Sequence, residues 1–114
     1  MIRDTQLATS ARLQHLDAKS VATALQTSSR EIAESAGLSN AAATSQHDQR
    51  ALRQMLAILL RMEPRLGSAP LAYAWYRSQP LPGFDAQTAM CLLRDGHAVA
   101  VLTLIDAVDA GVHS

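Results

Sequence analysis

Apolar residues recur at helical spacing in short runs along most of this chain, and glycine, proline or short polar stretches separate one run from the next. Within residues 18–25 the apolar side chains stand at positions i, i+3, i+4 and i+7, and residues 86–93 repeat that spacing. The composition is rich in alanine and leucine, and aromatic residues make up only 4% of it, which favours helix over strand. The sequence therefore predicts an all-α protein.

The length and the charge of the chain limit what it can do. With 114 residues, of which 48% are hydrophobic and 18% charged, it can bury one modest core, as one domain or as two small modules that share it. Its 10 basic and 10 acidic residues cancel, so the chain lacks the overall positive charge that dominates nucleic-acid affinity. Any contact with DNA must therefore be local.

Three features indicate a cytoplasmic protein without membrane contact. The single cysteine, Cys91, cannot form a disulfide within the chain and stands on an apolar helical stripe, where we expect it to be buried. The first residues lack the continuous apolar run of a secretory signal. No apolar run reaches the length that a membrane span requires.

The pattern divides the chain into three parts. Residues 1–16 are polar and mixed, which predicts a flexible N-terminal arm. Residues 17–62 predict a helix-turn-helix-like module that ends in a central helix, and residues 63–114 predict a second helical module with a C-terminal tail. In the first module Asp17 can cap a short helix, and Ser28 opens a capping-box pattern for the next one.

Residues 28–46 have the spacing of a helix-turn-helix. Gly37 can take the left-handed conformation that ends a first helix, and Ser39 can cap a second helix over residues 40–46. That second helix lacks the basic side chains that a recognition helix uses, so DNA binding and a purely structural or dimerising role both stay open. The candidate DNA-binding residues are Ser39, Asn40, Thr44, Ser45, Gln46 and Arg50.

A longer helix is predicted at the centre of the chain. Asp48 is expected to cap it, and Pro64 is expected to stop it after residues 49–62. Its apolar residues spread over more than one face, which a surface helix would not need. We therefore expect it to pack against the helices on both sides of it in the sequence.

The C-terminal part predicts an aromatic helix followed by two further helices. Asp85 is expected to cap a helix over residues 86–94, and Gly96 is expected to turn the chain into the last helix. Gly111 is expected to end that helix. Residues 112–114 would then lie outside any helix, either exposed to solvent or held by a partner.

The chain shows no pattern of residues that would carry catalysis. Its four histidines are far apart and one cysteine cannot build a structural zinc site, so we expect no metal. The scattered glycines form no phosphate-binding loop. Asp106 and Asp109 can share a helix face, but nothing near them would raise either pKa toward general-acid catalysis. The sequence predicts a binding protein, neither an enzyme nor a protein with a cofactor.

The order of elements after residue 74 is the most informative motif of the chain. An aromatic helix, a Pro-Leu-Pro-Gly-Phe link, a short helix, a glycine turn and a longer helix follow one another, and this order resembles the toxin-binding domain of the Xre/MbcA/ParS antitoxin family. The matching positions are Trp75, Leu81, Pro82, Gly83 and Phe84, then Ala89, Leu92, Leu93, Asp95 and Gly96, then Val101, Leu102, Leu104, Ile105, Asp106, Ala107, Gly111 and Val112.

The resemblance implies an antitoxin of a type II toxin–antitoxin system. Its partner would be a RES-domain toxin that consumes NAD⁺ or transfers its ADP-ribose, and the antitoxin's C-terminal tail would block the toxin's NAD pocket. The resemblance also implies a homodimer, and an N-terminal Xre-like helix-turn-helix that represses the pair's own operon by binding operator DNA. The implied toxin-binding residues are Trp75, Leu81, Pro82, Phe84, Arg94, Gly96, Leu102, Asp109, Gly111, Val112, His113 and Ser114.

Two other hypotheses remain beside the antitoxin. The chain can be a stand-alone helix-turn-helix transcription regulator that uses its C-terminal half for dimerisation or effector binding. It can also be a helical interaction domain with some other partner. An antitoxin that represses its own operon would combine the first two activities.

Overall fold

Six helices make up the part of the chain that the structure describes. This structure is a computed structural model that describes the backbone of residues 16–113 and the side chains up to Val108. Its helices are α1 (Ala18–Leu25), α2 (Ser29–Ala36), α3 (Gln46–Leu66), α4 (Ala69–Ser78), α5 (Ala89–Arg94) and α6 (Ala98–His113). No strand occurs among the described residues, so the predicted all-α fold is confirmed.

The N-terminal boundary differs from the prediction. Residues 1–15 of the predicted arm lie outside the described residues. Leu16, which was also assigned to the arm, is fully buried. It therefore belongs to the hydrophobic core. Burying a leucine side chain stabilises the fold by roughly 1.5–3 kcal/mol.

Both N-terminal helices begin at the predicted capping residues. The Asp17 carboxylate accepts the Ser20 backbone N–H at 2.8 Å, and the Ser28 hydroxyl accepts the Glu31 N–H at 3.1 Å. Each bond satisfies one of the donors that the first turn of a helix leaves without a partner. The reciprocal half of the capping box differs from the prediction, since the Glu31 carboxylate accepts the Thr27 hydroxyl.

The central helix α3 is longer at both ends than the sequence pattern predicts. Its capping residue is Ser45, whose hydroxyl accepts the Asp48 N–H at 3.0 Å, so the prediction of Asp48 as the cap is wrong. Pro64 lies inside the last turn and does not stop the helix. The helix ends at Gly67, which has a φ of 101° and donates its N–H to the Glu63 carbonyl at 2.9 Å.

The short helix α5 begins later than predicted. Asp85 and Ala86 have φ angles of 54° and 64°, in the left-handed region that an α-helix excludes. Thr88 is the actual cap, because its hydroxyl accepts the Cys91 N–H at 3.2 Å. Cys91 itself is exposed, so the prediction that it is buried is wrong.

The last helix runs further than predicted. α6 continues through Gly111 to His113, so the prediction that Gly111 ends it is wrong. A glycine within a helix costs only about 1 kcal/mol relative to alanine, so it does not end a helix without a left-handed turn to follow. Val101 and Ile105 of α6 are buried, whereas Val108 is exposed.

The buried side chains form one continuous core around α3. This helix packs against α2, α4, α5 and α6, as its apolar residues on several faces predict. Helices of the two predicted modules also contact one another directly, since α1 packs on α4 and α2 packs on α5. The buried apolar residues that α3 contributes are Ala51, Leu52, Met55, Leu56, Ile58, Leu59 and Met62.

Two tyrosines join α4 to the C-terminal end of α2. The Tyr76 hydroxyl donates to the Ser35 carbonyl at 2.7 Å, and the Tyr73 hydroxyl donates to the Ser35 hydroxyl at 3.3 Å. Burial raises the pKa of both tyrosines, so both hydroxyls keep their protons and remain donors. Arg77 lies 5.1 Å from the centroid of the Tyr73 ring and forms an ion pair with Glu31, which adds a surface link between the same two helices.

We expect Tyr76→Phe to lower the free energy of unfolding by about 1–3 kcal/mol, because the buried Ser35 carbonyl would lose its donor. That carbonyl is among the last of α2, which have no partner within the helix. Tyr73→Phe is the matched control, since it removes a longer bond to a hydroxyl that also donates to the Ile32 carbonyl. Urea unfolding followed by circular dichroism measures the free energy of unfolding of both variants. An equal loss of stability in the two would contradict this account.

Candidate functional site

The segment between α2 and α3 does not form the second helix of a helix-turn-helix. Residues 38–45 are loop and turn, so the predicted helix over residues 40–46 is wrong. The carboxylate of Asp48 holds this segment by accepting the Ser39 N–H at 3.1 Å, the Ser39 hydroxyl at 2.7 Å and the Asn40 N–H at 3.4 Å. The Ser39 hydroxyl, predicted to accept a helix N–H, is thus used as a donor.

Asp48 is a buried charge whose hydrogen bonds outweigh the cost of burial. Its side chain is 0% exposed. Burial raises the pKa of this carboxyl group, but hydrogen bonds from Ser39, His47 and Asn40 lower it by more, to about 2. Asp48 is therefore ionised at neutral pH, and the loop is fixed in the conformation that supplies its donors.

The far end of the same segment is held by Gln49. Its side-chain amide donates to the Ala43 carbonyl at 2.7 Å and to the Leu16 carbonyl at 2.5 Å. Its amide oxygen accepts the Leu16 N–H at 3.0 Å. One side chain of α3 thus joins the loop to the start of the described chain.

Four of the six candidate DNA-binding residues lie together at the start of α3. They border a groove of about 470 Å³ between α3 and α6. The groove is lined by Thr44, Ser45, Gln46, Gln49, Arg50, Arg53, Gln54, Ala57 and Leu102. The other two candidates, Ser39 and Asn40, are exposed and bonded to Asp48.

Sequence reasoning missed Gln49, Arg53 and Gln54 at this groove. The reason is that α3 was expected to begin three residues later, after Asp48. A start at Ser45 would have placed these polar side chains on the outward face of its first turns. No sequence signal marks Asp48 as the residue that holds the loop, because its partner Ser39 lies nine residues earlier in the chain.

The predicted link between α4 and α5 is a structured turn with one inward anchor. Leu81 is buried and donates its N–H to the Gln87 carbonyl at 2.9 Å. Pro82 is exposed, while Phe84 is half-buried and borders a recess of about 340 Å³. Of the predicted toxin-binding residues, Leu81 is thus part of the core, and Pro82 and Phe84 remain accessible.

The other predicted toxin-binding residues are spread over three helices. Trp75 is half-buried on α4, and Arg94 and Gly96 are exposed at the C-terminal end of α5. Leu102 of α6 is half-buried at the groove beside α3. Asp109, Gly111, Val112 and His113 lie within α6, their side chains outside the described residues, and Ser114 is likewise outside them.

α6 carries two exposed apolar side chains. Val99 is 66% exposed and Val108 is 43% exposed, and only Leu71 on α4 is also exposed among the large apolar residues that the structure describes. Because nine helical positions separate the two valines, they lie about 180° apart around the helix axis and not on one face. Asp106, on the same side of α6 as Val99, forms an ion pair with Arg61 of α3 at 3.2 Å, which helps to fix the helix to the body of the protein.

The described residues contain no group of three histidine, cysteine, aspartate or glutamate side chains that could hold a metal ion. Over the same residues, none of the helices combines the length and the apolar character that crossing a bilayer would require.

Comparison with known proteins gives no match, since no protein family, no curated protein and no solved structure is significantly similar to this chain.

We expect Asp48→Asn to lower the free energy of unfolding at pH 7 by about 2 kcal/mol, the free energy that corresponds to the lowered pKa. Because the folded pKa of about 2 lies below the ordinary 3.8, this stabilisation is present above about pH 4. It is lost as the pH falls toward 2, so the difference in the free energy of unfolding between the wild type and Asp48→Asn should narrow over that range.

Urea unfolding of both proteins at pH 7 and at pH 2.5 measures this difference. Asp106→Asn is the control, because it removes an exposed ion pair that contributes less than about 1 kcal/mol. An Asp48→Asn variant that is as stable as the control at pH 7 would contradict the assigned role of the carboxylate.

Proposed function

We propose that this chain is the antitoxin of a type II toxin–antitoxin pair and acts in the cytoplasm. It binds a RES-domain toxin through its C-terminal helices and blocks the toxin's NAD pocket. The observation that carries this proposal is α6 itself, which leaves the apolar side chains of Val99 and Val108 exposed on opposite sides and continues to the end of the described chain. The sequence motifs after residue 74, which resemble those of antitoxins, lie on the same helices.

The helical end of α6 changes the geometry of the proposed inhibition. Residues 111–113 would advance about 10 Å as an extended tail, but they advance only about 4.5 Å as helix, at roughly 1.5 Å per residue. The toxin pocket would therefore receive the end of a helix. Neutralisation in this proposal is steric, because the antitoxin excludes NAD⁺ from the pocket and takes no part in chemistry.

Operator binding is a secondary part of the proposal. It would use the first turns of α3, where Thr44, Ser45, Gln46 and Arg50 share one surface. Because residues 40–45 are not helical, this surface lacks a separate recognition helix to enter the major groove. A homodimer would compensate for a weak half-site by presenting two of them. The same absence weakens the alternative of a stand-alone transcription regulator.

The proposal predicts that Val99→Asp and Val108→Lys each weaken inhibition of the toxin at least about tenfold, because each places a charge in an apolar contact worth about 1.5 kcal/mol. Both changes suit the helix, since an acidic residue at position 99 stabilises its first turn and lysine has a high helix propensity at position 108. The measurement is NAD⁺ consumption by the co-purified partner, first alone and then with each variant added back.

Thr23→Lys is the control, because Thr23 is exposed and lies on α1, outside the C-terminal helices proposed to bind the toxin. Equal loss of inhibition in all three variants would point to a general effect of charge. Deleting residues 112–114 tests the blocking step separately, with binding expected to persist and inhibition to fall. A partner whose NAD⁺ consumption ignores this chain would refute the proposed function.

A further inference from the structure

A recess of about 370 Å³ opens between the C-terminal ends of α2 and α5 and the first turns of α3. Its volume falls within the range of small-molecule sites, about 300–1,000 Å³. Its polar lining comes from His47, Arg50 and Gln54 on α3 and from Arg94 on α5. Three separate elements thus bring together residues that the sequence analysis assigned to DNA and to a toxin.

The recess has one arginine on each of two walls, Arg50 on α3 and Arg94 on α5. Neither Arg50 nor Arg94 makes a hydrogen bond or an ion pair within the part of the chain that the structure describes. In contrast, Arg30, Arg61 and Arg77 each pair with a carboxylate. The donors of these two guanidinium groups are therefore available to a ligand.

Packing against Gly37 positions the Arg94 side chain. A Cβ atom at residue 37 would lie 3.5 Å from the Arg94 Cγ and 3.8 Å from its Cβ, so the arginine stem lies across the glycine. Gly37 also has a φ of 69°, which a side chain would strain. The turn that ends α2 thus provides the surface on which one wall of the recess is built.

His47 lies at the edge of the recess. Its Nδ1 atom lies 3.2 Å from an oxygen of Asp48, and its side chain is 78% exposed. Because a carboxylate can only accept, Nδ1 is the protonated nitrogen in this contact, and Nε2 of the neutral ring is an acceptor. The buried charge of Asp48 thereby orients a ring that lines the recess.

The charged side chains of the described lining are mostly basic. Asp95 is the only acidic side chain among them, against the two arginines. One backbone acceptor of the lining is used within the protein, since the Leu93 carbonyl accepts the Gly96 N–H at 3.0 Å.

We propose that this recess binds a small phosphate ester of nucleotide size, with Arg50 and Arg94 holding the phosphate from opposite walls. Guanidinium groups offer paired donors that match phosphate oxygens, and two of them suit a dianion better than a singly charged carboxylate. Ala36, Ala51 and Leu93 supply apolar wall for the rest of the ligand. The site requires neither a toxin nor DNA, and it goes beyond the proposed antitoxin function.

The test is a titration of the whole isotope-labelled chain, followed by amide NMR shifts, with ADP, inorganic phosphate and uncharged adenosine as probes. We expect saturable shifts with ADP at the amides of Gly37, Gln54 and Gly96, and no saturation with adenosine. Arg50→Gln and Arg94→Gln should each weaken ADP binding at least about tenfold, because each removes a charge-assisted hydrogen bond. Both residues are exposed, so the unfolding midpoint should not change.

Arg30→Gln is the control, since it removes an equal charge from an exposed position on α2 outside this recess. Saturation with inorganic phosphate as well would support the proposal and assign the affinity to the phosphate alone. ADP shifts that grow linearly with concentration would overturn it, as would equal weakening by Arg30→Gln. Binding of a DNA duplex through Arg50 and Arg94 without binding of ADP would overturn it in favour of a nucleic-acid surface.

Discussion

A carboxylate removed from water must find donors elsewhere, and Asp48 finds them in the backbone and hydroxyl groups of the α2–α3 connection. A buried ionised group with several hydrogen bonds tolerates little displacement of its partners, because each lost donor leaves charge without solvation. The connection is therefore fixed as a loop, and α3 can begin at Gln46. That early start places Gln49 against Leu16 and brings Arg50 between the groove and the recess.

The C-terminal end of α2 is held from two sides. Asp48 fixes the chain that leaves it, while Tyr76 donates to the Ser35 carbonyl from the side of α4. Between these two attachments Gly37 turns the chain and supports Arg94 from α5. The position of α2 thus decides the shape of the surfaces on either side of it, although α2 itself contributes few of their functional side chains.

Some interactions between near neighbours in sequence could be predicted, but the local caps expected at Asp48 and Asp85 are wrong. The caps at Asp17 and Ser28 and the turn at Gly37 depend on residues within one helical turn, and all three are correct. The second helix of the helix-turn-helix has favourable local residues, but Asp48, far along the chain, takes the Ser39 groups that would have capped it. For the site, Arg50 was predicted to bind DNA and Arg94 to bind a toxin, yet nothing in the sequence shows that they share a recess.

Arg50 and Gln54 connect the two surfaces for which we propose binding. Both residues line the recess beside Arg94, and both also line the groove that includes Leu102 of α6. A phosphate that fixes the Arg50 side chain in the recess withdraws it from the groove, and a partner that covers the groove restricts the same side chain from the other side. Two ligands that depend on the position of one side chain affect each other's affinity equally, because coupling between binding sites is reciprocal. The first turns of α3 would therefore make operator binding and phosphate binding sensitive to one another.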